Sequence, residues 1–212
     1  MTDASGSRST HILLTAGIAL PLLYFGTVIV ASLFYPGYSH VTQYASELGS
    51  ATARWPLIFN VGIFLAGLAA IAAGAGLFQG LTAAGLRPLV PALLGLSVAL
   101  LGVSLLFGAL FPMPDLRHGG FGLGMAIHFG PLLGAAALWP RRNLRLFTWS
   151  LIATFLLMAT LFVVMMGVGH LVTRANVGVY QRLYALTMLP WIGFASALIR
   201  AGMVADSRPA PA

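Results

Sequence analysis

The side chains of this chain that could do chemistry are few, and they collect in three stretches. The first is residues 35–56, YPGYSHVTQYASELGSATARWP, the longest polar interruption in the sequence. It carries His40, Gln43, Tyr44, Ser46, Arg54 and Glu47, the last being one of only four acidic residues. The second is FPMPDLRHGG, residues 111–120, with Asp115 and His118 three positions apart. The third spans residues 169–182 and holds His170, Arg174 and Arg182. Two further polar residues, Asn60 and His128, stand alone inside apolar runs. Carboxylates and imidazoles are the groups that acid–base catalysis and zinc use. On that basis Glu47, Asp115 and His118 are catalytic candidates, and Asp115, His118 and His170 are metal-ligand candidates. Arginine's planar fork suits phosphate or carboxylate recognition. The candidate ligand-binding set is therefore His40, Tyr44, Glu47, Asn60, Asp115, His118, His128, His170, Arg174 and Arg182.

The same residues have structural readings. Glu47 could pair with Arg182 or Arg54, and Asp115 with Arg117 or Arg174. His128 could be a neutral imidazole bonded to a neighbouring helix. No HxxxH, HExxH or GxSxG pattern occurs, nor an aspartate-rich prenyl-diphosphate motif. No cofactor is expected, and zinc is the metal that these ligand types would suit. Lysine and cysteine are both absent. That excludes a retinal Schiff base, a lysine nucleophile, disulfides and thiolate metal sites.

The elements that must position these groups are membrane helices. The chain is 59% hydrophobic and 7% charged, whereas a soluble domain is about a quarter charged. Six long apolar runs predict six spans, at about 12–34, 57–78, 89–111, 121–139, 147–168 and 182–200. The expected architecture is an all-α bundle of transmembrane helices between disordered tails at 1–11 and 201–212. The first run, at 23 residues, exceeds a signal-peptide core of about 7–15 and is read as a retained span. Between spans 1 and 2, Ser39 is expected to cap a helix over 40–48 that ends at a left-handed Gly49. On that helix His40, Gln43, Tyr44 and Glu47 would share one face. Gly62, Ala66, Ala70 and Gly74 make a four-residue stripe that permits close helix approach in lipid. Pro131 follows His128 and leaves the Ile127 carbonyl without its helical donor.

Six spans put both termini on one side, with Arg8, Arg87, Arg141, Arg142, Arg145, Arg200 and Arg208. Arg54, Arg117, Arg174 and Arg182 fall on the other. This imbalance predicts cytoplasmic termini and a plasma-membrane location. The net charge of +7 is spread singly among apolar runs, which excludes a nucleic-acid face and fits lipid headgroups as the partner. Glu47, Asp115, His40, His118, His170 and His128 then lie at or near the extracytoplasmic end. An outward polar pocket walled by spans 2, 3, 4 and 6 is expected there.

The run YPGYSHVTQYASELGS and the Asn60–Gly62–Gly67 marked span resemble the domain of unknown function 998 family of six-span prokaryotic membrane proteins. FPMPD with His118, and GVYQRLYALTMLPW over residues 178–191, share the resemblance. The segment 46–49 is also similar to eukaryotic Frag/Sfk-like membrane proteins. The resemblance implies six helices and a shared polar set of Glu47, Asn60, Asp115, His118 and Arg182; it implies no activity. The function expected is binding of a lipid headgroup or small amphiphile. A metal-dependent or acid–base lipid enzyme is the second reading. A transporter is third, since spans 1–3 and 4–6 show no self-similarity.

Overall fold

The computed structural model describes residues 8–204, and the polar tails fall largely outside them. All regular structure among these residues is helical. α1 is Arg8–Leu33, α2 Pro56–Ala83 and α3 Leu89–Leu110. The fourth span, Leu116–Leu138, is a 3-10 stretch over Leu116–Phe129 followed by α4, Gly130–Leu138. α5 is Arg145–Met165. The sixth span, Val177–Arg200, is divided into α6, Val177–Met188, and α7, Pro190–Arg200. Among the described residues six helical segments are thus long and apolar enough to cross a membrane, and the protein is a multi-pass membrane protein.

Proline accounts for the divided spans. Pro131 and Pro190 each sit at the start of a helix, where their missing N–H costs nothing. The two breaks meet, because the Trp191 ring packs against Gly130 so closely that a Cβ there would lie 2.8 Å from it. The start of the fourth span departs from the straight helix expected from residue 121. Gly120, Phe121 and Gly122 all have left-handed φ, and Gly120 lies so close to α3 that a Cβ would sit 2.8 Å from Ser104 Cα. Hydropathy registers the apolar run but not this turn.

α2 is central, packing against both α1 and α3. Its small residues let backbones touch. A Cβ on Gly74 would lie 2.3 Å from the Gly95 carbonyl oxygen, and one on Gly95 would lie 2.5 Å from the Gly74 oxygen. Ala66 and Ala70 of the expected stripe are fully buried. Gly62 instead faces Thr27 of α1. The core is a continuous apolar cluster that includes Leu20, Leu77, Val98, Ile127, Met158 and Ile192.

The bundle has two chemically distinct ends. At one, the 35–56 loop meets both the start of α6 and the turn after α3, through Val41–Gly178 and Ser46–Met113 contacts. At the other, Arg141 Nη2 donates to the Ala84 carbonyl at 2.9 Å, and Asn143 Nδ2 donates to the Met203 carbonyl at 2.9 Å.

Candidate functional site

The expected helix over 40–48 is replaced by a single turn at 39–43 and a 3-10 helix, Ala45–Gly49. The Ser39 hydroxyl does accept from the Val41 and Thr42 N–H groups, both at 3.3 Å. The helix cannot continue because its hydrogen bonds are taken by side chains and by α6. The Tyr44 N–H goes to Glu47 Oε1 at 2.8 Å, and the Ala45 N–H to Gln181 Oε1 at 2.6 Å. The Val41 carbonyl, which Ala45 would have used, accepts from Gly178 N–H at 2.9 Å. Gly49 is not left-handed. It is small because a Cβ would lie 2.0 Å from Asn60 Oδ1, whose amide nitrogen donates to the Gly49 carbonyl at 3.0 Å.

Arg182 is the centre of the arrangement. Its Nε donates to His40 Nδ1 at 3.1 Å, and its Nη1 to the carbonyls of Gln43 at 3.0 Å and Gly178 at 2.8 Å. Its Nη2 donates to the Tyr38 hydroxyl, which in turn donates to the Tyr44 carbonyl at 3.0 Å. Glu47 does not pair with Arg182 or Arg54: among the described residues the one ion pair is Asp115–Arg117. Glu47 is joined to Arg182 indirectly, since Gln43 Nε2 donates to Glu47 Oε2 at 3.0 Å while the Gln43 carbonyl receives Arg182. Gly178, Gln181 and Arg182 are three and four residues apart and so share a helix face. That spacing was readable in the sequence; the role of Tyr38 had no sequence signal.

This clasp makes two predictions. Gln43 bridges the carboxylate and the guanidinium, so Gln43→Ala and Glu47→Gln are expected to be strongly non-additive in a double-mutant cycle of unfolding, by about 1 kcal/mol. Glu47→Gln and Arg182→Ala should couple less. The second concerns pH. His40 accepts from Arg182 on Nδ1, so its proton is on Nε2, 3.2 Å from Ser32 Oγ. Burial and then the Arg182 charge push His40 below its usual 6.5. The open loop therefore binds more protons than the clasp. The His40 contribution is complete above pH 6.5 and is lost as pH falls below it. Amide exchange at Ala45 and Gly178, corrected for its intrinsic rate, should speed up at pH 5.5 relative to pH 7.5. In His40→Ala that difference should vanish.

The other expected site residues lie elsewhere. Asp115 accepts from Arg117 three times, from the backbone N–H at 2.8 Å, Nε at 3.0 Å and Nη2 at 2.7 Å. The Arg117 side chain, with its N–H, holds this carboxyl down at about 2. His118 Nδ1 lies 3.0 Å from the Phe111 carbonyl. His128 is bonded inside the bundle: Nδ1–H donates to the Met125 carbonyl at 2.9 Å and Nε2 accepts from the Tyr184 hydroxyl. The Phe162 ring meets it edge-on at 4.8 Å. His170 and Arg174 are exposed on the third loop, where Asn176 Oδ1 organises the backbone by accepting Thr173 N–H at 2.7 Å. Asp115, His118 and His170 do not gather. Among the described residues no three His, Asp or Glu side chains are placed to hold a metal.

Beside the clasp is an open recess of about 520 Å³, walled by Gly49, Ser50, Ala51, Pro56, Asn60 and residues 112–115. Of the ten ligand-binding candidates, Asn60 and Asp115 line it. Tyr44, Glu47, His40 and Arg182 instead build the loop that forms its wall. One extended outward pocket over spans 2, 3, 4 and 6 was expected; the polar groups are divided between this recess, the clasp and the His128–Tyr184 pair.

Compared with known families, residues 18–198 match the family described as Protein of unknown function (DUF998). No curated protein and no solved structure matches the chain.

Proposed function

The chain belongs to the family described as Protein of unknown function (DUF998), and from that premise we propose that it binds the polar head of a membrane amphiphile at the loop end. The observation behind this reading is the recess of about 520 Å³, within the range of ligand sites at about 300–1,000 Å³. Its walls combine the Asp115 carboxylate, Ser50 and Asn60 with prolines and backbone. Asp115 lines the recess and is ion-paired with Arg117, so a charge of each sign belongs to that wall segment. A zwitterionic or hydroxyl-rich head suits that pairing better than a bare anion. The clasp keeps the wall in place, and Arg182 has its donors committed to protein partners.

The protein sits in the cell membrane with both termini cytoplasmic and the recess facing outward, a reading that the uneven arginine distribution supports. With no native cysteine, single cysteines at Thr52 and Arg87 report this directly: an impermeant maleimide should label the first in intact cells and not the second.

The binding test uses native mass spectrometry of gently extracted protein. Ala51 is exposed and lines the recess, so Ala51→Trp should fill it and lose one bound amphiphile. Wild-type protein free of amphiphile, or Ala51→Trp retaining as much as wild type, would overturn the proposal.

A further inference from the structure

The 35–56 loop belongs to two arrangements at once. Its Gly49, Ser50 and Ala51 wall the recess, while its Tyr38, His40 and Gln43 meet Arg182 in the clasp. The 3-10 helix Ala45–Gly49 joins the two. At its start the Ala45 N–H donates to Gln181 Oε1 of α6 at 2.6 Å. At its end the Gly49 carbonyl accepts from Asn60 Nδ2 at 3.0 Å. Ser50 follows, and its N–H and hydroxyl both donate to the Glu47 carbonyl, at 3.1 Å and 2.8 Å. Such a helix spans only about 8–10 Å at about 2.0 Å per residue. Displacing the α6 end of so short a piece carries the recess end with it.

The clasp closes around a neutral His40. Its Nδ1 accepts from Arg182 Nε at 3.1 Å, and its Nε2 lies 3.2 Å from Ser32 Oγ of α1. An imidazolium carries N–H groups on both nitrogens and has no acceptor left. Protonation therefore removes the Arg182 bond and brings two cations within 3.1 Å of each other. The Glu47 carboxylate is turned instead to Gln43 Nε2 and the Tyr44 N–H. On the loop itself the Tyr38 ring meets His40 edge-on at 5.1 Å, and burial pushes that phenol up, away from its charged form. From α1 the contact is Ser32, which does not titrate. Arg182 is thus the charge that acts on His40.

We infer that the loop is a pH-operated gate over the recess: protonation of His40 undoes the clasp, moves the Gly49–Ala51 wall away and lets the occupant out. What the gate releases rests on the binding reading above; its motion is a property of the loop alone. Histidine is the side chain whose charge ordinarily changes between about pH 5 and 8. The open loop takes its proton at the usual 6.5 and the closed loop only below that, so acid favours the open form. A single proton linked in this way lowers the closed-to-open ratio up to about tenfold between pH 7.5 and 5.5.

With no native cysteine, a single thiol in the full chain reports the gate. Ser50 is 7% exposed in the closed wall, and Ser50→Cys replaces one atom. Maleimide labelling there follows the open population. Thr52→Cys, at an exposed position, corrects for the thiolate fraction at each pH. Relative to it, Ser50→Cys should label up to about tenfold faster at pH 5.5 than at pH 7.5. Adding His40→Gln should abolish that difference, because the glutamine carbonyl accepts from Arg182 and does not titrate. His40→Ala takes its place should His40→Gln fail to fold by gel filtration. Timed native mass spectrometry should show bound amphiphile leaving faster at pH 5.5, and at one rate from the His40 variant. Labelling that ignores pH, an acid increase that survives in the folded His40 variant, or amphiphile released at one rate at both pH values would each overturn the inference. Gated labelling in a protein that holds no amphiphile would support the gate and overturn the binding reading alone.

Discussion

Arg182→Ala is expected to release the first loop from the sixth span and to lower unfolding stability by about 2–4 kcal/mol. The guanidinium donates to two backbone carbonyls, an imidazole and a phenol. Hydrogen bonds from a charged donor contribute about 1.5–3 kcal/mol each, but bonds of one network do not add. Loss of the donor also leaves the part-buried Gln43 carbonyl without this partner. Arg182→Lys should recover little, because a single ammonium cannot reproduce the planar fork. Gly178→Ala tests the same contact by another route. Its Cβ would lie 2.5 Å from both the His40 and Gln43 carbonyl oxygens. Alanine is favoured over glycine in a helix by about 0.8–1.0 kcal/mol, so a loss of stability here must come from displacing the loop. Denaturation in micelles measures both; wild-type stability in both variants would mean that the loop does not dock.

Gly74→Val is expected to have the other large effect, about 3 kcal/mol or more of destabilisation. The Cβ would meet the Gly95 carbonyl oxygen at 2.3 Å and the Ala99 backbone nitrogen at 3.0 Å. Neither atom belongs to a flexible side chain, so α2 and α3 must separate. Overpacking typically costs about 1–3 kcal/mol where side chains can repack. Separation would also loosen Ala70, Ala73, Leu94 and Val98, which are almost fully buried. Gly26 is the control: a Cβ there meets nothing within 4 Å, so Gly26→Ala should be neutral or slightly stabilising. Thermal unfolding of the two variants in the same detergent checks the contrast.

The spans were legible because length and hydropathy alone determine them. α3 begins at 89 as expected and ends at Leu110 rather than 111. α2 runs on to Ala83, where the sequence reading stops at 78, since Gln79 is accommodated at the helix end by a 2.9 Å bond from the Thr10 hydroxyl. The sixth span starts five residues early, at Val177. Those five residues include Gly178 and Gln181, which hold the loop. The polar stretches were located by composition, but their pairing was not. Glu47 and Arg182 carry opposite charges, and nothing in the sequence says that Gln43 stands between them. His128 and Tyr184 come from different spans, and their meeting depends on how the broken fourth and sixth spans cross. Asp115 was the exception. Its partner Arg117 is two residues away, and a local contact of that kind is readable from spacing.

The partners joined by the clasp lie 136–144 residues apart in the chain. At about 5–20 residues per second, the ribosome needs roughly 7–30 s to deliver the second after the first. Throughout that interval the 35–56 loop is outside the bilayer with its amides and carbonyls hydrated. Closure therefore reports that synthesis has reached the final hairpin, and a nascent chain stalled before residue 178 would display an open loop to proteases on that side of the membrane.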